Sequence, residues 1–114
     1  MHVEDRIRLQ HMIEAAETAI EFISNRQRLD LDHDRMLLFA LVRAIEIIGE
    51  AASKISEETK TAYAEIPWKA IIGMRNRLIH AYFDIDTQIV WETVKREIPA
   101  LLLKMRALLQ QSKN

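Results

Sequence analysis

The 114-residue chain has no cysteine, which excludes disulfide staples, thiolate metal sites and thiol nucleophiles. Glycine and proline are scarce at two each, so the chain has little material for turns, bulges or linkers and must be mostly regular structure. It contains no Ser- or Gly-rich stretch, internal repeat or low-complexity segment, and one domain over residues 1–114 is expected. No apolar run approaches the ~20 residues of a membrane span, and the first residues lack the pattern of a secretory signal; a cytoplasmic protein is predicted. Positive charge is not in excess: 16 Lys and Arg against 17 Asp and Glu give a formal charge of −1 and a pI near 6.4. A general nucleic-acid coat protein would be strongly basic, so any RNA contact must be local.

What the chain does have is apolar residues, 49% of the total, recurring at helical spacing. Leu9, Met12, Ile13, Ala16, Ile20 and Ile23 predict an amphipathic helix over 3–27. DLDHD at 30–34 supplies acidic N-caps for a second helix to about Glu58, apolar around most of its circumference and therefore central. Pro67 suits the first turn of a third helix reaching about Tyr82, because its missing N–H has no helical partner there anyway. Asp84 and Asp86 precede a fourth, with a stripe of Ile89, Val90, Trp91, Val94 and Ile98. Pro99 should kink that helix or start a short fifth through Leu102, Met105 and Leu109. The fold class that follows is all-α, an up-and-down bundle of four to five helices.

The segment MRNRLIHAYF, residues 74–83, crowds polar chemistry into the third predicted helix. At about 100° per residue, Asn76, Arg77 and His80 share one arc, while Arg75 falls among apolar residues in line with Trp68 and Tyr82. A guanidinium there needs a partner, and Glu46 or Glu50, on a polar stripe with Arg43, can supply one. Such a pair is either purely structural or the edge of a cleft or second subunit. His80 is either a solvated residue or a base oriented by Asn76 one turn earlier. An oriented imidazole beside a cation is what RNA cleavage requires: the histidine takes the 2′-OH proton or protonates the leaving 5′-oxygen, and the arginine stabilises the phosphate. That chemistry needs no metal or other cofactor. On one helix the two side chains would lie about 140° apart, an obstacle that a second copy across a twofold axis removes, with Trp68, Arg75 and Tyr82 as the interface stripe.

Other polar groups carry blander readings. Asp30, Asp32, His33 and Asp34 read as capping and solvated charge rather than metal ligands. Trp68 and Trp91 read as core or interface aromatics. Lys69, Arg77, Lys95 and Arg96 form either a basic rim for an RNA backbone or a solvated face. Gly73 is expected to allow a close helix approach.

The segments RAIEIIGEAASKI (43–55), IPWKAIIGMRNRLIHAYFDID (66–86) and IVWETVKREIPAL (89–101) resemble the HepT-type toxins of the HEPN superfamily of helical ribonucleases, over nearly the whole chain. The family's R-x4-H-x-Y motif is met by Arg75, His80 and Tyr82, with Asn76 as the polar residue that often follows the arginine. The resemblance implies a homodimeric bundle with both motifs facing a shared cleft and metal-independent endoribonuclease activity on messenger or transfer RNA. It also implies a nucleotidyltransferase antitoxin of the MntA type, in a type VII system, that transfers AMP from ATP onto Tyr82. A different class stays open beside it: a non-catalytic helical module that binds a nucleotide or the nucleotidyltransferase and presents Tyr82 without cutting RNA.

Overall fold

A computed structural model describes residues 1–81 and 84–112, His80 and Ala81 by backbone alone. Helices dominate, as expected, but they are more numerous and shorter than the periodicity predicts. They are α1 (Val3–Phe22), α2 (Asp30–His33), α3 (Arg35–Ser53), α4 (Glu57–Ala62), α5 (Trp68–Ile72), α6 (Met74–Leu78), α7 (Thr87–Glu92) and α8 (Ile98–Ser112). A π-helical turn, Thr93–Glu97, joins α7 to α8. Strands β1 (Ile79–Ala81) and β2 (Asp84–Ile85) form a small antiparallel pair with Ile79 opposite Ile85 and Ala81 opposite Asp84.

Each departure from the predicted boundaries has a local cause. The first helix stops at Phe22 instead of residue 27, and Asn25 beyond it takes a left-handed conformation (φ 61°) that short amide side chains tolerate. The predicted second helix is three. Asp34 leaves helical geometry to cap α3, its carboxylate accepting the Leu37 N–H at 3.0 Å, and Ser56 caps α4 by accepting the Thr59 N–H. Pro67 stands just outside α5 rather than within its first turn. Near Pro99 a further helix does begin, α8, which carries Leu102, Met105 and Leu109. Pro99 is the second residue of α8, and its ring and missing N–H conflict with an α-helical bond to the carbonyl of Lys95. The preceding turn widens accordingly: the Ile98 N–H reaches back five residues to the Thr93 carbonyl.

Packing follows the predicted hierarchy. Helix α3 touches α1 along its length and also α2, α5, α6 and α7, while α8 covers the other side of α1. Leu9, Met12, Leu41, Ile45, Ile48 and Met105 are fully buried in one contiguous core. The close helix approach occurs at Gly49, not Gly73. A Cβ on Gly49 would stand 3.3 Å from the Ile71 carbonyl oxygen, whereas one on Gly73 would meet only ordinary contacts. The N-terminal helix is anchored by Asp5, 3% exposed, whose carboxylate accepts the Ser56 N–H (3.0 Å) and the hydroxyls of Ser56 (2.6 Å) and Thr59 (2.7 Å). Among the described residues no helix is long and apolar enough to cross a membrane.

Candidate active site

The third predicted helix breaks twice. Gly73 ends α5 and begins α6, and the chain leaves helical geometry after Leu78, where Ile79 is extended (φ −115°, ψ 110°). A 2.7 Å hydrogen bond from the Asp86 N–H to the Leu78 carbonyl draws the start of α7 back against this exit, and the Asp86 carboxylate also accepts the Ile89 N–H at the α7 N-terminus. Alternating apolar Ile79 and Ile85, both half-buried against the core, suit the short pairing better than another helical turn.

The geometry expected of the motif changes as a result. His80 lies in β1, so Asn76 is not one helical turn before it, and the 140° separation from Arg75 does not apply. The His80 side chain and the whole of Tyr82 lie outside the described residues. Arg75 is not on the apolar side of its helix. Met74 and Leu78 turn inward, and Arg75, Asn76 and Arg77 are exposed. Nor do Trp68 and Arg75 share a stripe: Trp68 is buried, its indole N–H donating to the Tyr63 carbonyl at 3.1 Å.

The expected partner for Arg75 is present. Its Nε donates to Glu46 Oε2 at 2.6 Å, across from α6 to the centre of α3. Glu50 is engaged elsewhere, 3.4 Å from Arg43. The Glu46 side chain is 23% exposed and that of Arg75 50%, so the carboxylate is the fixed member and the guanidinium reaches out from it. Among the described residues the two terminal nitrogens of Arg75 carry no hydrogen bond, and the side chain is half exposed.

The surrounding cations are mostly engaged. Arg77 lies 3.4 Å from Glu97, Arg96 3.2 Å from Glu92, and Lys95 sits 5.9 Å above the Trp91 ring. Lys69 is exposed. The Asp30–Asp34 cluster serves structure: Asp30 accepts the Gln27 N–H, Asp32 pairs with Arg28 and accepts the Thr87 hydroxyl, and Asp34 caps α3. Among the described residues no three His, Cys, Asp or Glu side chains are grouped to hold a metal ion. One feature has no counterpart in the motif: a groove between α1 and α3, about 500 Å³ at one end and about 430 Å³ next to it, sharing His11, Arg43 and Ile47. The exposed i, i+4 pair Ile7–His11 is its sequence signal, visible only once the core faces of both helices are known.

Of the motif, the described residues show Arg75 exposed on α6 and the backbone of His80 in the short strand that follows. The chain belongs to the HepT-like ribonuclease family: residues 12–108 match the family described as Ribonuclease HepT-like. It is 42% identical over 100 residues to "Probable ribonuclease HepT" of Thermococcus cleftensis, covering 88% of this chain and 91% of that protein. It is 39% identical over 105 residues to "Putative RNase TTE0752" of Caldanaerobacter subterraneus subsp. tengcongensis, covering 92% and 94%. "Putative RNase MJ1380" of Methanocaldococcus jannaschii is 37% identical over 93 residues, covering 82% and 85%. No solved structure matches the chain significantly.

Proposed function

We propose that this protein is a metal-independent endoribonuclease, the toxin of a toxin–antitoxin pair, with Arg75 and His80 as its catalytic residues and RNA as its substrate. Membership of a ribonuclease family supports the substrate class. The observation that carries the site is the Arg75–Glu46 contact, because a half-exposed cation fixed through Nε keeps two further nitrogens with which a phosphate could be bound. In the reaction, His80 removes the proton from a ribose 2′-OH as that oxygen attacks the adjacent phosphorus. The 5′-oxygen leaves as the P–O bond breaks, taking a proton from water, and a 2′,3′-cyclic phosphate remains, while His80 returns its proton to solvent. Arg75 offsets the charge that builds on the non-bridging oxygens. Asn76, exposed beside Arg75, supports the site by binding substrate rather than by orienting His80 along a helix.

The same reading assigns Tyr82 as the residue to which an MntA-like nucleotidyltransferase antitoxin transfers AMP, and makes the working unit a homodimer. AMP on Tyr82, two residues from His80 and seven from Arg75 in sequence, would bring a phosphodiester anion and a bulky base to the cation's neighbourhood and compete with RNA. A second reading, a non-catalytic module that presents Tyr82, is favoured by one observation: Arg75 already has a carboxylate partner and a structural use. Expression in cells separates the two. His80→Ala should abolish growth arrest while the fold and binding of the nucleotidyltransferase persist, and an undiminished arrest would remove the histidine from the mechanism.

A further inference from the structure

His80 sits on the first leg of a strand pair only three and two residues long. So short a pair does not hold itself in place in water, and both of its legs must be tied to the bundle. The first leg is tied through α6, whose Met74 and Leu78 are buried and whose Arg75 is held by Glu46. The second leg runs through Asp86 into α7, and its tie lies outside the strand pair. Thr87, the first residue of α7, meets two side chains from the neighbourhood of α2: its hydroxyl accepts from Arg28 Nη1 at 3.2 Å and donates to Asp32 Oδ1 at 3.1 Å. Arg28 Nη2 closes the triangle by donating to Asp32 Oδ2 at 2.9 Å. The hydroxyl is thus used both as donor and as acceptor, and the two charged side chains fix each other's orientation.

The triangle stands on a firm base. Leu31, beside Asp32, is buried, the Asp30 carboxylate accepts the Gln27 N–H at 2.8 Å, and Asp34 caps α3. From Thr87 the path to the motif is short and runs through backbone. The Asp86 N–H donates to the Leu78 carbonyl at 2.7 Å, Ile85 stands opposite Ile79 and Asp84 opposite Ala81, and His80 lies between those two positions. Packing does not need the triangle, because Val90 already buries the inner face of α7, and Thr93 and Val94 that of the turn after it. None of its three members belongs to the R-x4-H-x-Y motif.

We propose that Arg28, Asp32 and Thr87 are positioning residues: their triangle clamps the start of α7, and through it the β1–β2 pair, and so sets where the backbone places His80. The inference rests on the proposed ribonuclease, in which His80 is the base. A misplacement of about 1 Å costs on the order of a hundredfold in rate, so a loosened second leg slows the chemical step while Arg75, tied to the other leg, still binds substrate. The triangle therefore acts on kcat and not on KM.

Thr87→Val keeps the shape of the side chain and removes its hydroxyl. Assayed where circular dichroism shows every variant folded, it should lower kcat for RNA cleavage about tenfold with KM within about twofold of wild type. Thr87→Ser should restore kcat, because serine supplies the same donor and acceptor. Arg28→Met should match Thr87→Val, and the double variant should be no slower than either, since the triangle acts as a unit. Asp5→Asn, which destabilises through a network that does not include α7, should leave kcat unchanged. Hydrogen exchange reads the clamp without RNA: the Asp86 N–H should exchange about tenfold faster in Thr87→Val than in wild type or Thr87→Ser. A lowered Tm with unchanged kcat in Thr87→Val would make the triangle purely structural and overturn the proposal. So would a loss of kcat that serine does not rescue, or unchanged exchange at Asp86. A wild type that does not cut RNA refutes the ribonuclease, and exchange at Asp86 then decides the clamp by itself.

Discussion

Replacing Asp5 by alanine removes the acceptor on which the start of α1 and the cap of α4 converge. The carboxylate is buried and takes three hydrogen bonds, from the Ser56 N–H and the Ser56 and Thr59 hydroxyls, at 2.6–3.0 Å. A hydrogen bond to a charged group contributes about 1.5–3 kcal/mol, but three bonds to one carboxylate share its charge and are not additive. The Ser56 hydroxyl also keeps its place at the Thr59 N–H, 3.2 Å away. A net loss of about 3 kcal/mol is therefore expected, a fall in Tm of about 12 °C at roughly 4 °C per kcal/mol for a domain of this size. Asp5→Asn, which retains one acceptor oxygen, should lose about half as much. Thermal melts followed by circular dichroism at pH 7 measure both. A loss under 2 °C for the alanine variant would refute the view that this network anchors α1.

The same network fixes a pH dependence. Burial raises the Asp5 carboxyl pKa, but the hydrogen bonds from Ser56 and Thr59 and the nearby His2 outweigh it, so the group is held below its ordinary 3.8. The unfolded chain then binds the proton first. Stability is full above that ordinary value and is lost as pH falls through it toward the lowered one. Wild type and Asp5→Ala should converge in Tm between pH 5 and the acid limit of folding, and curves that stay parallel would contradict the assignment. Gly49→Val should destabilise by about 1–3 kcal/mol, because its side chain has nowhere to go beside the Ile71 carbonyl, whereas Lys104 or Arg96 changed to alanine should alter Tm little. Glu46→Ala should lower kcat/KM for RNA about tenfold with a Tm change of only a few degrees, since it frees a half-exposed arginine; unchanged cleavage would show that Arg75 needs no positioning.

How much of this was legible in the sequence depends on what each signal measures. Apolar spacing revealed the core faces of α1, α3 and α8, because burial is the quantity that periodicity reports. The polar stripe on α3 offered Glu46 or Glu50 as the partner for Arg75, and the contact is to Glu46. Periodicity failed between residues 73 and 86. Ile79 and Ile85 satisfy a helical stripe and a strand equally, and the Asp86–Leu78 hydrogen bond that favours the strand joins residues eight apart. Helix lengths were overestimated where a capping side chain, Asp34 or Ser56, restarts the chain without a glycine or proline to mark the break. Pro99 was read as an interruption, and the helix is interrupted there by a π turn, a backbone form with no side-chain signature. Gly73 drew attention by standing near the motif, while the glycine that lets two helices meet is Gly49, and only the α5 carbonyls beside it reveal that.

The central claim is that Arg75 and His80 cut RNA without a metal, and cleavage of total cellular RNA in the presence of EDTA tests it most directly. The protein should carry an intact mass showing Tyr82 free of AMP, and Arg75→Ala and His80→Ala should be assayed beside it after their folds are confirmed. The account predicts discrete cleavage by the wild type and none by either variant. Equal cleavage by all three, or none by the wild type while a nucleotidyltransferase still modifies Tyr82, would contradict it.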